Sequence, residues 1–242
     1  MNNWMPADQA LGELRSATDR LLENIAGLTD KAAAAPSLLP DWTRGHVLTH
    51  LARNAEGGTR LLGWARTGVP SYEYVSLDAR AAAIDAGAGR PAAVLVEDVR
   101  RTAAAFADAA ADMPAEAWQR LVRYTAGQEP RAEVIVPSRL AEVLIHHVDL
   151  DLGFEPADWP LAFVQDSLSR MVAGLSARDD VVAMHLAGLD TGRTFAVGAA
   201  DAASVSVRGP EHALLAWLLG RSQGASLHPE PDATLPAIPG IY

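Results

Sequence analysis

AEVLIHHVD, residues 141–149, is the stretch from which the rest of the chain is read. Val143, Leu144, Ile145 and Val148 supply an apolar side at helical spacing, so the segment reads as a helix. Glu142 and His146 are four residues apart and stack on one face, with Asp149 three further along the same stripe. A carboxylate above an imidazole, both leaving an otherwise apolar helix, supplies two ligands of a metal site. His50 is the candidate for a third, and Asp149 is placed to orient a ligand from behind. Two nitrogens and one carboxylate oxygen suit zinc, and three protein ligands leave a fourth position open for chemistry. His46 and His50 also share a face at a spacing of four, so on spacing alone His46 competes for the ligand role. His147 points about 100° away from His146, so at most one of the two faces the bundle interior. His185, His212 and His228 are isolated and read as surface or packing residues.

Outward from that helix, residues 8–26 place Leu11, Leu14, Leu21, Leu22 and Ile25 at helical spacing. A second helix follows Pro36 and Pro40, capped by Asp41 or Thr43 and ending at Gly68. Residues 76–86 start another. A third long helix runs over 91–113, with Pro91 in its first turn and Val94, Leu95, Val99 and Phe106 as its buried stripe. Residues 132–136 read as a strand or as the approach to the fourth main helix, which starts at Pro137 and ends near Gly153. The pattern then changes. A helix over 161–175 precedes short extended runs at 181–186, 194–197 and 204–207, the first two joined by a turn at 190–193. A last helix over 211–221, one more strand at 225–228 and a proline-rich closing stretch over 229–242, lying on the surface, complete the chain. The predicted fold class is α+β in two domains: a four-helix bundle over 1–155 and a small α+β domain over 156–242.

With 242 residues, 49% of them hydrophobic, the chain can bury a large core. A net charge of -10 argues against a nucleic-acid partner, which normally selects a basic face. No apolar run approaches the ~20 residues of a membrane span, and the first residues lack the basic start and apolar core of a signal peptide. The chain has no cysteine, which makes a cytoplasmic location the default and means that any thiol chemistry uses a thiol brought in by a small molecule.

WTRGHVLTHL, residues 42–51, resembles the signature opening the second helix of the DinB-like metal-binding four-helix superfamily. Within it the chain most resembles the mycothiol-dependent maleylpyruvate isomerases, which pair the bundle with a small C-terminal α+β domain. AWLLGR, residues 216–221, is similar to that domain's characteristic motif. The resemblance covers nearly the whole chain. It implies that His50, rather than His46, is the ligand beside Glu142 and His146; the glutamate, where many superfamily members carry a third histidine, matches the isomerase branch. It further implies zinc, mycothiol as cofactor, and isomerisation of maleylpyruvate to fumarylpyruvate in aromatic catabolism through gentisate. Such a substrate is a dicarboxylate, and Arg80 and Arg221 are the arginines chosen to hold its charge or the thiol cofactor. Placing Arg221 there requires the C-terminal domain to close over the bundle. The expected enzyme is a monomer acting on small molecules. Two other readings use the same residues: a mycothiol-dependent S-transferase or detoxifying enzyme, and a non-catalytic helical metal-binding protein.

Overall fold

The structure, a computed structural model, describes residues 4–198, 205–231 and 234–238. It divides into two compact units, residues 5–153 and residues 154–242 together with Trp4.

In the first unit, α1 (Ala7–Ile25) buries Leu14, Leu21 and Ile25, while Leu11 and Leu22 stay partly exposed. After the single turn of α2 (Asp30–Ala33) comes α3 (Arg44–Thr67), the central helix. Thr43 caps α3 by accepting from the His46 backbone N–H, so Asp41 is not the cap. α4 (Leu77–Ala88) starts at the Ser76 cap. α5 (Ala92–Ala111) buries Leu95, Val99 and Phe106 against α3, but Val94 is 46% exposed and does not belong to the stripe. Pro91 is its N-cap, one position before the first turn. Residues 132–134 form a 3-10 turn that leads into α6 (Ile135–Asp149), so the ambiguous stretch is the approach to the helix, which begins two residues before Pro137. α1, α6, α3 and α5 pack as a closed ring of four, and α4 lies on α3.

The sequence explains why α3 and α6 meet in this register. Arg44, in the first turn of α3, donates from Nε to the Leu150 carbonyl at 2.5 Å and from NH2 to the Asp151 carbonyl at 3.0 Å, tying the start of α3 to the end of α6. Gly45 allows the end of α4 to approach: a Cβ there would collide with the Ala88 carbonyl oxygen. Farther along, the buried Asp98 of α5 accepts from Arg53, Arg90 and Arg101, each at 2.8 Å, which locks α3 to α5.

The second unit contains α7 (Leu161–Ser176), β1 (Met184–Gly188), β2 (Thr194–Val197), β3 (Val205–Gly209), α8 (Glu211–Leu218) and β4 (His228–Glu230). The sheet order is β2-β1-β3-β4, with β1 parallel to β3 and the outer pairs antiparallel. The turn after β1 is the expected hairpin connection; it is held by Glu211, fully buried, which accepts from Arg193 at 3.1 Å and from Thr191. The first strand begins at Met184 rather than at residue 181, and α8 ends three residues short of Arg221. The expected strand start at Ser204 lies outside the described residues, as do 232–233 and 239–242 of the closing stretch. The last strand spans His228–Glu230 rather than 225–228, so it takes up the start of that stretch. Trp4, placed with this unit, carries the Arg170 guanidinium 3.6 Å above its ring. No helix among the described residues is long and apolar enough to cross a membrane.

Candidate metal centre

His50 sits two turns into α3, Glu142 lies at the middle of α6 and His146 one turn later. The three converge in the bundle. His50 Nε2 is 2.7 Å from Glu142 Oε2 and 3.0 Å from His146 Nε2, and the last two atoms are 3.4 Å apart. Two ligands on a tetrahedral zinc with bonds of ~2.0–2.1 Å lie roughly 3.3 Å apart, so the His146–Glu142 edge already has that spacing and the two edges to His50 would open by a few tenths of an ångström to receive the ion. Among the described residues this is the group of His and acidic side chains able to hold a metal.

The surroundings prepare each donor. Asp149, fully buried, lies with Oδ2 2.8 Å from His146 Nδ1. A carboxylate only accepts, so it keeps a proton on Nδ1 and leaves Nε2 as the nitrogen that faces the cluster. The Asp149 backbone is fixed in turn, its carbonyl accepting from the Leu38 N–H at 2.9 Å. Trp42 stands edge-on to His50, ring centroids 5.8 Å apart. Burial lowers His50 to about 4, with His146 and Arg80 acting in the same sense and Glu142 opposing, so it is neutral at pH 7. Burial also works against charge on His146, yet Asp149 and Glu142 outweigh it and hold the group above its ordinary value. For Glu142, burial is outweighed by hydrogen bonds from His146 and His50, which keep the carboxylate ionised.

The structure therefore brings His50, Glu142, His146 and Asp149 together and adds Arg80, whose NH2 is 3.1 Å from His50 Nδ1. His46 is elsewhere. Its Nδ1 accepts from the Thr43 N–H at 3.1 Å, completing the cap, while its Nε2 is 3.9 Å from Asp85. His147 points away, 3.2 Å from Asn24. Arg221 belongs to the second unit, where its backbone N–H donates to Ala216 and its guanidinium to the Leu219 carbonyl at 2.9 Å.

Two groups near the cluster were not found from the sequence. Glu73 and Tyr74, on the connection between α3 and α4, act electrostatically on Glu142 and Arg80. They sit in a loop without periodicity, and only the folded chain brings that loop back onto α3.

Residues 14–151 match the family model described as mycothiol maleylpyruvate isomerase N-terminal domain. The chain belongs to that family. Residues 158–237 match the companion MDMPI C-terminal domain. The fold is that of a crystal structure of the mycothiol-dependent maleylpyruvate isomerase, with a TM-score of 0.89 and 23% sequence identity over 98% of this chain and 97% of that one. The crystal structure of a histidine-to-alanine mutant of that enzyme matches equally well, at 0.89 and 23% over the same shares. No curated protein matches. Within this family frame, WTRGH has a physical meaning in the present chain: Trp42 faces His50, Thr43 caps α3, Arg44 clasps α6, Gly45 admits α4 and His46 closes the cap.

Proposed function

We propose that this chain is a zinc- and mycothiol-dependent cis-trans isomerase converting maleylpyruvate to fumarylpyruvate. The observation that carries the reading is the convergence of His50, Glu142 and His146 within 4.8 Å in a chain of the mycothiol maleylpyruvate isomerase family. Zinc held by His50, Glu142 and His146 would supply a bound thiol as its nucleophilic thiolate, whose addition to the activated alkene and later elimination would allow rotation about the intervening single bond.

The chain's own residues prepare this chemistry. His50 and His146 offer nitrogen lone pairs, and Glu142 offers an anionic oxygen that balances the ion's charge. Asp149 fixes the His146 tautomer and orientation. Arg80, half-buried beside His50, is the clamp for a substrate carboxylate, and Arg221 takes the second carboxylate or the thiol cofactor. The nucleophile is external, since the chain has no cysteine.

Elemental analysis tests the ligand set: about one zinc per chain is expected for a three-ligand catalytic site, and His50→Ala should lose most of it. Full zinc content in His50→Ala would refute the assignment. For Arg221→Ala the expected result is a rise of roughly tenfold in KM for the dicarboxylate or the thiol, the loss of one charge-assisted contact. Unchanged KM for both removes Arg221 from the site.

A further inference from the structure

Beside the metal centre, α3, the 72–75 loop and α4 enclose a cleft of about 670 Å³ lined by Arg53, Arg60, Tyr72, Tyr74 and Arg80. One group on its wall is not satisfied by the protein. The Tyr74 hydroxyl is shielded from solvent and has no hydrogen-bond partner among the described residues. A buried hydroxyl without a partner is costly, and it persists only where its surroundings fix it.

Tyr74 is fixed from several sides. Its backbone N–H donates to Thr125 Oγ1 at 3.0 Å, and the Thr125 hydroxyl donates back to the Tyr74 carbonyl at 3.4 Å. Arg60 donates from Nε to the carbonyls of Tyr72 at 3.1 Å and Glu73 at 3.2 Å. Gly57 of α3 makes room for the loop: a Cβ there would stand 2.7 Å from Glu73 Cγ and 3.6 Å from Tyr74 Cζ. The phenol is thus held in place beside Arg80, whose guanidinium lies 5.8 Å from the ring centroid and reaches His50 at 3.1 Å. Burial pushes the phenol up to about 12, with Glu73 adding to the shift and Arg80 opposing it, so the proton stays on oxygen at neutral pH.

We propose that the Tyr74 hydroxyl is a catalytic hydrogen-bond donor to the ketone oxygen conjugated with the substrate's alkene. The inference rests on the isomerase reading above. When the thiolate sulfur bonds to the alkene carbon beside the carboxylate, the π pair moves toward the ketone and its oxygen becomes an enolate. A fixed donor aimed at that oxygen stabilises the charge as it develops. The single bond rotates, the pair returns, the carbon–sulfur bond breaks and the thiolate leaves. No net proton is transferred, so a donor that keeps its proton suits the step. Arg80 also interacts with the Tyr74 hydroxyl, so a substrate carboxylate that draws its guanidinium away would leave the hydroxyl to the ketone.

Tyr74→Phe tests this by removing one oxygen. Zinc per chain and melting temperature should be unchanged, because the lost oxygen has no hydrogen-bond partner of good geometry among the described residues. kcat/KM for maleylpyruvate with mycothiol should fall about 100-fold, as for loss of one oxyanion donor. Calorimetric binding of fumarylpyruvate should weaken by about five-fold, as for loss of one neutral hydrogen bond. Unchanged kcat/KM overturns the inference, as does a fall accompanied by lost zinc and a lowered melting temperature. If the wild type shows no turnover, the isomerase reading fails. Fumarylpyruvate binding then decides the contact, and equal affinity of the two proteins, or no binding to either, overturns it.

Discussion

Asp149→Asn is the sharpest perturbation of the proposed metal centre that leaves its three candidate ligands in place. The wild-type carboxylate is fully buried and accepts from His146 Nδ1 at 2.8 Å. The amide has nearly the same volume and still offers an oxygen, but it lacks the charge that makes His146 a better donor to a metal and offers a competing N–H. Removal of such an outer partner typically lowers metal affinity by about 10–100-fold, equivalent to about 1.4–2.7 kcal/mol. The upper part of that range is expected here, since complete burial leaves water no route to replace the lost acceptor. Competition for zinc against a chromophoric chelator at pH 7 measures the ratio directly, with His147→Asn as a control that alters a neighbouring imidazole facing Asn24 instead of the cluster. An Asp149→Asn affinity within twofold of wild type would refute the orienting role and, with it, the argument that the His146 tautomer is set from behind.

Two further outcomes follow from the same geometry. In chelator-treated protein, His50 should make the fold acid-sensitive. Its folded value is about 4, below the ordinary 6.5, so the unfolded chain binds the proton first and stability falls as pH drops between those values. The loss attributable to that group is about 3 kcal/mol at most, and His146, shifted the opposite way, offsets part of it. Urea unfolding at pH 7 and pH 4.5 reads the difference, and a flat profile would contradict it. Gly45→Ala should destabilise by about 1–3 kcal/mol, since its Cβ meets the Ala88 backbone and no flexible side chain can yield. A thermal midpoint equal to wild type would show that α4 moves aside freely.

The helices and the site were legible for the same reason: both are local patterns. The apolar spacing of Leu14, Leu21 and Ile25, and the four-residue interval from Glu142 to His146, are written on single helices. What spacing could not decide was His46 against His50, because both face the same side of α3. The difference arises from Thr43, whose N–H takes the His46 ring into the cap and out of the bundle. Val94 misled because the helical stripe on α5 is set by α3, which takes up Leu95 and Val99 instead. Strand limits in the second unit shifted by two or three residues, since runs such as 181–186 carry apolar residues before the ladder with Val197 and Val205 begins. Tyr74, Glu73 and the Arg44 clasp depend on contacts between segments far apart in the chain, and no local pattern announces them.

The most direct test of the central claim is the ultraviolet assay of maleylpyruvate isomerisation by the zinc-loaded protein, with and without mycothiol. Turnover is expected to require the thiol and to disappear when His50→Ala removes the metal. Turnover at the same rate without thiol, or none under either condition, would contradict that claim.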